Sequence, residues 1–170
     1  MSTQTNHERV LSELERVFSE NADKRIYVLG ATCVGKNYLL RDLPHCVDLD
    51  QIIMNSLPQD IQKRLVDLDG LGDEAGLEAV KIWNENKQLS KVKINRGQPV
   101  FGAEAFLDCD LLVYLNIDET THKKRATKRG FSLEFVLQHK QYLEKKLAQV
   151  EVPVITIDVS SPAKDYGPPK

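Results

Sequence analysis

This chain of 170 residues has too few cysteines, in the wrong arrangement, for a disulfide or metal-stapled scaffold: Cys33, Cys46 and Cys109 are odd in number and lack metal-site spacing. They read as reduced thiols, the state expected in the cytoplasm. No apolar run approaches the length of a bilayer span. Residues 1–20 are polar, without the apolar centre of a secretory leader. The expectation is therefore a cytoplasmic protein with no membrane partner. An excess of one charge sign is also missing. A net charge of −2, with both signs mixed along the chain, argues against non-specific nucleic-acid binding. Internal repeats, low-complexity tracts and linkers are absent too. The chain reads as one domain, large enough for a core, over residues 1–160, with a mobile tail at 161–170.

What is present alternates between two periodicities. Thr5-Asn6-His7-Glu8 matches a capping box, and Val10, Leu11, Leu14, Val17 and Phe18 follow at helical spacing, predicting a helix over 6–20. Residues 25–29 form a short apolar run that meets Gly30, as a buried strand does. A helix follows from Lys36 and must be short, because Pro44 closes it. Residues 45–50 read as a second strand ending in acids. Residues 51–96 are mainly helical, with one stripe at Ile61, Leu65 and Leu68 and another at Leu77, Val80, Ile82 and Trp83, and Trp83 is expected in the core. Arg96-Gly97 turns into a third strand at 99–101, and residues 110–117 give the clearest strand. Asp118 and Ser132 are expected to cap helices over 119–129 and from 133, the first ending at Gly130 and the second facing inward through Val136, Leu143 and Leu147. Residues 152–160 are a final β-branched strand. This order predicts an α/β fold of three layers, α/β/α, around a mostly parallel five-stranded sheet. Its ligands should lie beyond the C-terminal strand ends.

One of those ends carries a phosphate-loop pattern. Gly30, Ala31, Thr32, Cys33, Val34, Gly35, Lys36 and Asn37 have the glycine spacing and the lysine that wrap backbone N–H groups around a polyphosphate. A Gly-Lys pair alone is common; the preceding strand and following helix give it meaning. Asn37 stands where a serine or threonine hydroxyl would meet Mg²⁺. Its carbonyl oxygen is also a hard neutral ligand, so weaker or water-mediated magnesium binding is expected. The alternative is that Asn37 only caps the helix and carboxylates take the metal. Cys33 reads as a small filler.

Asp48 and Asp50, two apart on a strand, would share one face, one holding magnesium through water and the other accepting a proton from a substrate hydroxyl. Alternatively, Asp50 caps a helix from Gln51. Glu104, after the third strand, is placed to orient magnesium-bound water, or is a solvated loop acid. Gly102 would let backbone approach the site. Arg125 and Arg129 lie four apart on one helix face, beside Lys124 and Lys128. They suit the charge that develops in phosphoryl transfer, or simply a solvated basic face. His122 and His139 lack metal spacing and are expected at the surface.

Taken together, residues 25–160 resemble the P-loop small-molecule kinases. "GATCVGKN" is similar to their Walker A loop. "VDLDQII" resembles the acidic second-strand end of shikimate- and gluconate-kinase-like enzymes. The segment from Tyr114 to Leu143 resembles uridine kinases and their phosphoribulokinase-like kin, in which a strand and an Arg-rich helix lead to an Arg-Gly-x-Ser-x-Glu-x-Val segment, here Arg129 to Val136. Glu104-Ala105 stands where those proteins have Glu-Gly. The resemblance implies ATP and Mg²⁺ as cofactors and a small hydroxylated acceptor as partner. It also implies Lys36 and residues 30–37 on the phosphates, Asp48 or Asp50 as base, Arg125 and Arg129 in a mobile lid, and residues 51–96 lining the acceptor pocket. The chain departs from the family at Asn37, in its short post-loop helix, and in lacking the hairpin insertion of uridine kinases. A nucleotide-binding module with little catalysis is the second reading. A GTPase is disfavoured by the absence of a guanine-recognition segment.

Overall fold

The computed structural model describes residues 5–104 and 107–160. Ala105 and the tail at 161–170 therefore lie outside the described residues. Helix α1 (Asn6–Glu20) begins as its capping box dictates, with Thr5 Oγ1 accepting from the Glu8 amide at 3.1 Å. Strand β1 (Ile26–Gly30) is buried at every position, which explains its continuous apolar run. The remaining elements are α2 (Lys36–Arg41), β2 (Val47–Asp48), α3 (Leu49–Ser56), α4 (Gln59–Leu68), α5 (Asp73–Asn86), a 3-10 turn (Leu89–Lys91), β3 (Val100–Gly102), β4 (Leu111–Asn116), α6 (Glu119–Lys128), α7 (Leu133–Leu147) and β5 (Val154–Asp158).

The sheet is five-stranded and all-parallel, in the order β2-β3-β1-β4-β5. The protein is thus α/β, compatible with three layers. Neighbouring strands β1 and β4 send their chains toward opposite edges of the sheet, β1 to β2 and β4 to β5. In open α/β sheets such a reversal is where ligands commonly bind, and here it lies beside residues 31–35. No helix among the described residues is long and apolar enough to cross a membrane. Asp118 Oδ1 caps α6 through the Thr121 amide, Ser132 Oγ caps α7 through Phe135, and Gly130 ends α6 at φ +83°. Val136 and Leu143 are buried, as their spacing requires.

Two expectations are corrected. The second strand is two residues long, not six, because Asp48 Oδ1 accepts from the Asp50 amide and starts α3 at once. Asp48, not Asp50, is the cap, and the two acids do not share a strand face. On α5, Leu77 and Val80 are 58% and 49% exposed, whereas Trp83 is half-buried and packs against the core as expected; the fully buried residue is Gly76. A Cβ on Gly76 would lie 2.8 Å from both Phe131 Cε1 and Phe135 Cζ, so α5 meets the stacked pair Phe131–Phe135 through bare backbone. Alanine normally favours a helix over glycine by about 1 kcal/mol. Here the overlap reverses the sign, and Gly76→Ala should destabilise the fold by about 1–3 kcal/mol, read as a lowered melting temperature.

Candidate phosphate site

The loop between β1 and α2 folds tightly back on itself. A Cβ on Gly30 would sit 2.6 Å from Val34 Cγ2, so only glycine fits. Gly35 has φ +103°, and Cys33, at φ +69°, is the one non-glycine with positive φ among the described residues. Such a backbone costs about 1–3 kcal/mol and persists only where its surroundings over-determine it. Lys36 Nζ donates to Gly30 O at 2.7 Å and Ala31 O at 3.0 Å. An ammonium has three donors, so one remains. Among the described residues no carboxylate pairs with Lys36. Burial lowers its pKa to about 8, with Asp50 opposing the shift. Val34 N–H bonds Ala31 O, and Thr32 N–H bonds His139. The amides of Cys33, Gly35, Lys36 and Asn37 meet no protein acceptor among the described residues.

The arginines divide. Arg125 Nη1 donates to Val34 O at 2.6 Å and Nη2 to Val159 O at 3.3 Å, so its guanidinium is committed to backbone. Arg129 is exposed, with Nη1 3.9 Å from Cys33 Sγ and Nη2 3.5 Å from Asp69 Oδ1, and it reaches the loop from the α6–α7 turn. Burial raises the Cys33 thiol pKa, with Arg129 opposing, so the sulfur stays protonated, in keeping with a filler. That turn also meets the start of α5, where Asp73 accepts from Ser132 N at 2.9 Å and Ser132 Oγ at 2.5 Å.

The acids divide as well. Asp48 has Oδ1 engaged as a cap. Asp50, on the first turn of α3, is exposed to water, yet the surrounding protein desolvates its carboxyl and raises its pKa. Lys36 opposes this; Asp48 and Glu104 add to it. Glu104 is engaged elsewhere: Oε1 accepts from Trp83 Nε1 and Oε2 from Lys87 Nζ, each at 2.8 Å, which makes it a strut fastening β3 to α5. Gly102 is likewise explained by packing, since a Cβ there would lie 2.8 Å from both Leu49 Cδ2 and the Tyr27 hydroxyl.

No group of three or more His, Cys, Asp or Glu among the described residues could hold a metal unaided. Magnesium needs no such cage, because it retains water and binds through one or two protein oxygens plus phosphate. The exposed Asn37 side chain and the uncommitted Asp48 oxygen fit that requirement; Glu104 does not.

The histidines expected at the surface are the largest correction. His122 is 0% exposed and its Nε2 lies 2.8 Å from Thr32 O; His139 is half-buried, with Nδ1 3.0 Å from Thr32 N. A signal for them exists in the chain. His122 falls at helical spacing with Arg125, Ala126 and Arg129, and His139 with Val136 and Leu143, so both lie on faces already marked as inward or functional.

Fold and site together define an α/β protein with an all-parallel five-stranded sheet and a tight, glycine-bounded loop at its topological reversal. The chain matches no protein-family model, and no curated protein matches it significantly.

Proposed function

We propose that this protein is an ATP-dependent phosphotransferase acting on a small hydroxylated acceptor. One observation carries the reading: residues 33–37 hold four backbone N–H groups that meet no protein acceptor among the described residues and an ammonium without a carboxylate partner, a donor set that suits a polyphosphate. In this reading the loop and Lys36 hold the nucleotide. Asp50 takes the proton from the acceptor hydroxyl as the new O–P bond forms and ADP departs. Desolvation makes Asp50 a better base than an ordinary carboxylate. Arg129, rather than the committed Arg125, screens the charge on the transferring group. Asn37 and Asp48 would hold magnesium, which neutralises phosphate charge.

Mass spectrometry of pooled metabolites incubated with Mg-ATP tests the proposal. A phosphorylated product is expected; ATP bound but never consumed across nucleosides, sugars and vitamins would favour the second reading, a binding module, which Asn37 in place of a hydroxyl residue supports. Metal-free ADP binding gives a further check. The ADP phosphates are fully ionised above neutrality, so affinity should fall as pH rises beyond about 8 and Lys36 loses its proton. The slope should be at most about tenfold per pH unit, because one proton is linked to binding. Lys36→Met should flatten that slope in calorimetry.

A further inference from the structure

We infer that His122 and His139 are positioning residues that set the peptide planes of the phosphate loop, and so aim its N–H groups at the ligand. The inference rests on the phosphate-site reading above. The bonding partners fix the proton on each ring. Thr32 N–H can only donate, so His139 Nδ1, 3.0 Å away, carries a lone pair, and Nε2 carries the proton that it donates to Ala103 O at 3.2 Å. Thr32 Oγ1 sits 3.0 Å from the same Nδ1. Thr32 O can only accept, so His122 Nε2 is protonated, and its buried Nδ1 has no partner among the described residues. Burial favours the neutral ring in both cases and lowers both pKa values, His139 to about 4. The charged groups facing them are Lys36 and Glu104 for His139, and Lys140, Arg125 and Lys36 for His122.

A trans peptide points its C=O and its N–H in opposite directions. His122 on Thr32 O therefore turns the Cys33 N–H away from α6. His139 on Thr32 N–H turns Ala31 O the other way, where it receives Lys36 Nζ. Arg125 on Val34 O does the same for the Gly35 N–H. Two of the uncommitted amides, and the seat of the ammonium, are thus dictated from α6 and α7. These contacts also supply the over-determination that the φ of +69° at Cys33 requires.

Calorimetric ADP affinity is measured in the full chain for His139→Leu and His122→Leu, against His139→Asn and His122→Gln, which keep an acceptor or a donor at the same point. The leucine variants should lose on the order of tenfold or more in affinity with helical content intact, and the amide variants should recover to within about threefold. Nitrogen NMR of the wild-type rings supplies a readout that does not depend on folding of any variant: both histidines should be neutral Nε2–H tautomers at neutral pH, and the Thr32 amide should be protected from exchange. Leucine variants that bind ADP like the wild type, or an Nδ1–H tautomer at His139, would overturn the inference and leave the phosphate site standing. Wild-type protein that binds no ADP would overturn both.

Discussion

Lys36→Met should abolish turnover with every acceptor, lowering kcat/KM by at least about two to three orders of magnitude, while the melting temperature stays within about 4 °C. The two halves of that result have separate causes. In turnover, the ammonium is the one full positive charge inside the loop, held by Gly30 O and Ala31 O with a donor to spare. Methionine matches the lysine stem as far as Cε and supplies no charge. In stability, burial disfavours the charged form and lowers the lysine pKa to about 8, so removing the ammonium relieves a cost, while the two carbonyls lose a donor. The sign of the pH dependence follows. Between about 8 and the unfolded value of 10.5 the unfolded chain binds more protons, so wild-type stability from this group rises with pH across that window. The Lys36→Met protein should lack the rise. Denaturant melts at pH 7.5 and 9.5 compare the two, and a wild type that weakens over that interval relative to the variant would reverse the assignment.

Asp50→Asn should lower kcat by about 10²–10⁴-fold, the range that one general base contributes. Asp48→Asn should cost turnover less than Asp50→Asn, because its amide oxygen still caps α3 and is itself a hard neutral ligand for magnesium. Asp48→Ala should instead cost about 1 kcal/mol of stability, as loss of a helix cap does. The base must be ionised to act, so activity falls as pH drops through its pKa. Desolvation raises the Asp50 pKa, which places that acid limb above the ordinary carboxylate range. The limb should vanish from the residual activity of Asp50→Asn. Equal losses in both asparagine variants would make the two acids one functional unit instead.

The sequence made the frame of this molecule legible wherever a local rule decides the outcome. Thr5, Asp118 and Ser132 cap their helices because each hydroxyl or carboxylate satisfies an N-terminal amide within three residues. The loop was legible for the same reason, as Gly35 takes a backbone of positive φ and Gly30 must clear the side chain of Val34 four residues on. Long-range partners escaped. Glu104 looked available for water or metal because nothing nearby in the chain announces Trp83 or Lys87 as its donors. The histidines looked superficial because their polar partners are backbone atoms of a loop 90 and 107 residues away, which no side-chain pattern marks. Leu77 and Val80 misled because periodicity fixes the angle between apolar residues on a helix but not which side turns inward. The bulk of Phe131 and Phe135, and the missing side chain of Gly76, decided that.

The carbonyl of Val159, just past the last strand, receives both Arg125 Nη2 and the Asn6 amide of α1, each at 3.3 Å, while Arg9 of the same helix holds Asp158 O at 2.8 Å. The earliest helix and the final strand are thereby stitched together one side chain away from residues 30–37. Trimming or fusing at residues 6–20 should consequently disturb the proposed phosphate site, because the Val159 carbonyl that Asn6 holds shares the Arg125 guanidinium with Val34 O of the loop.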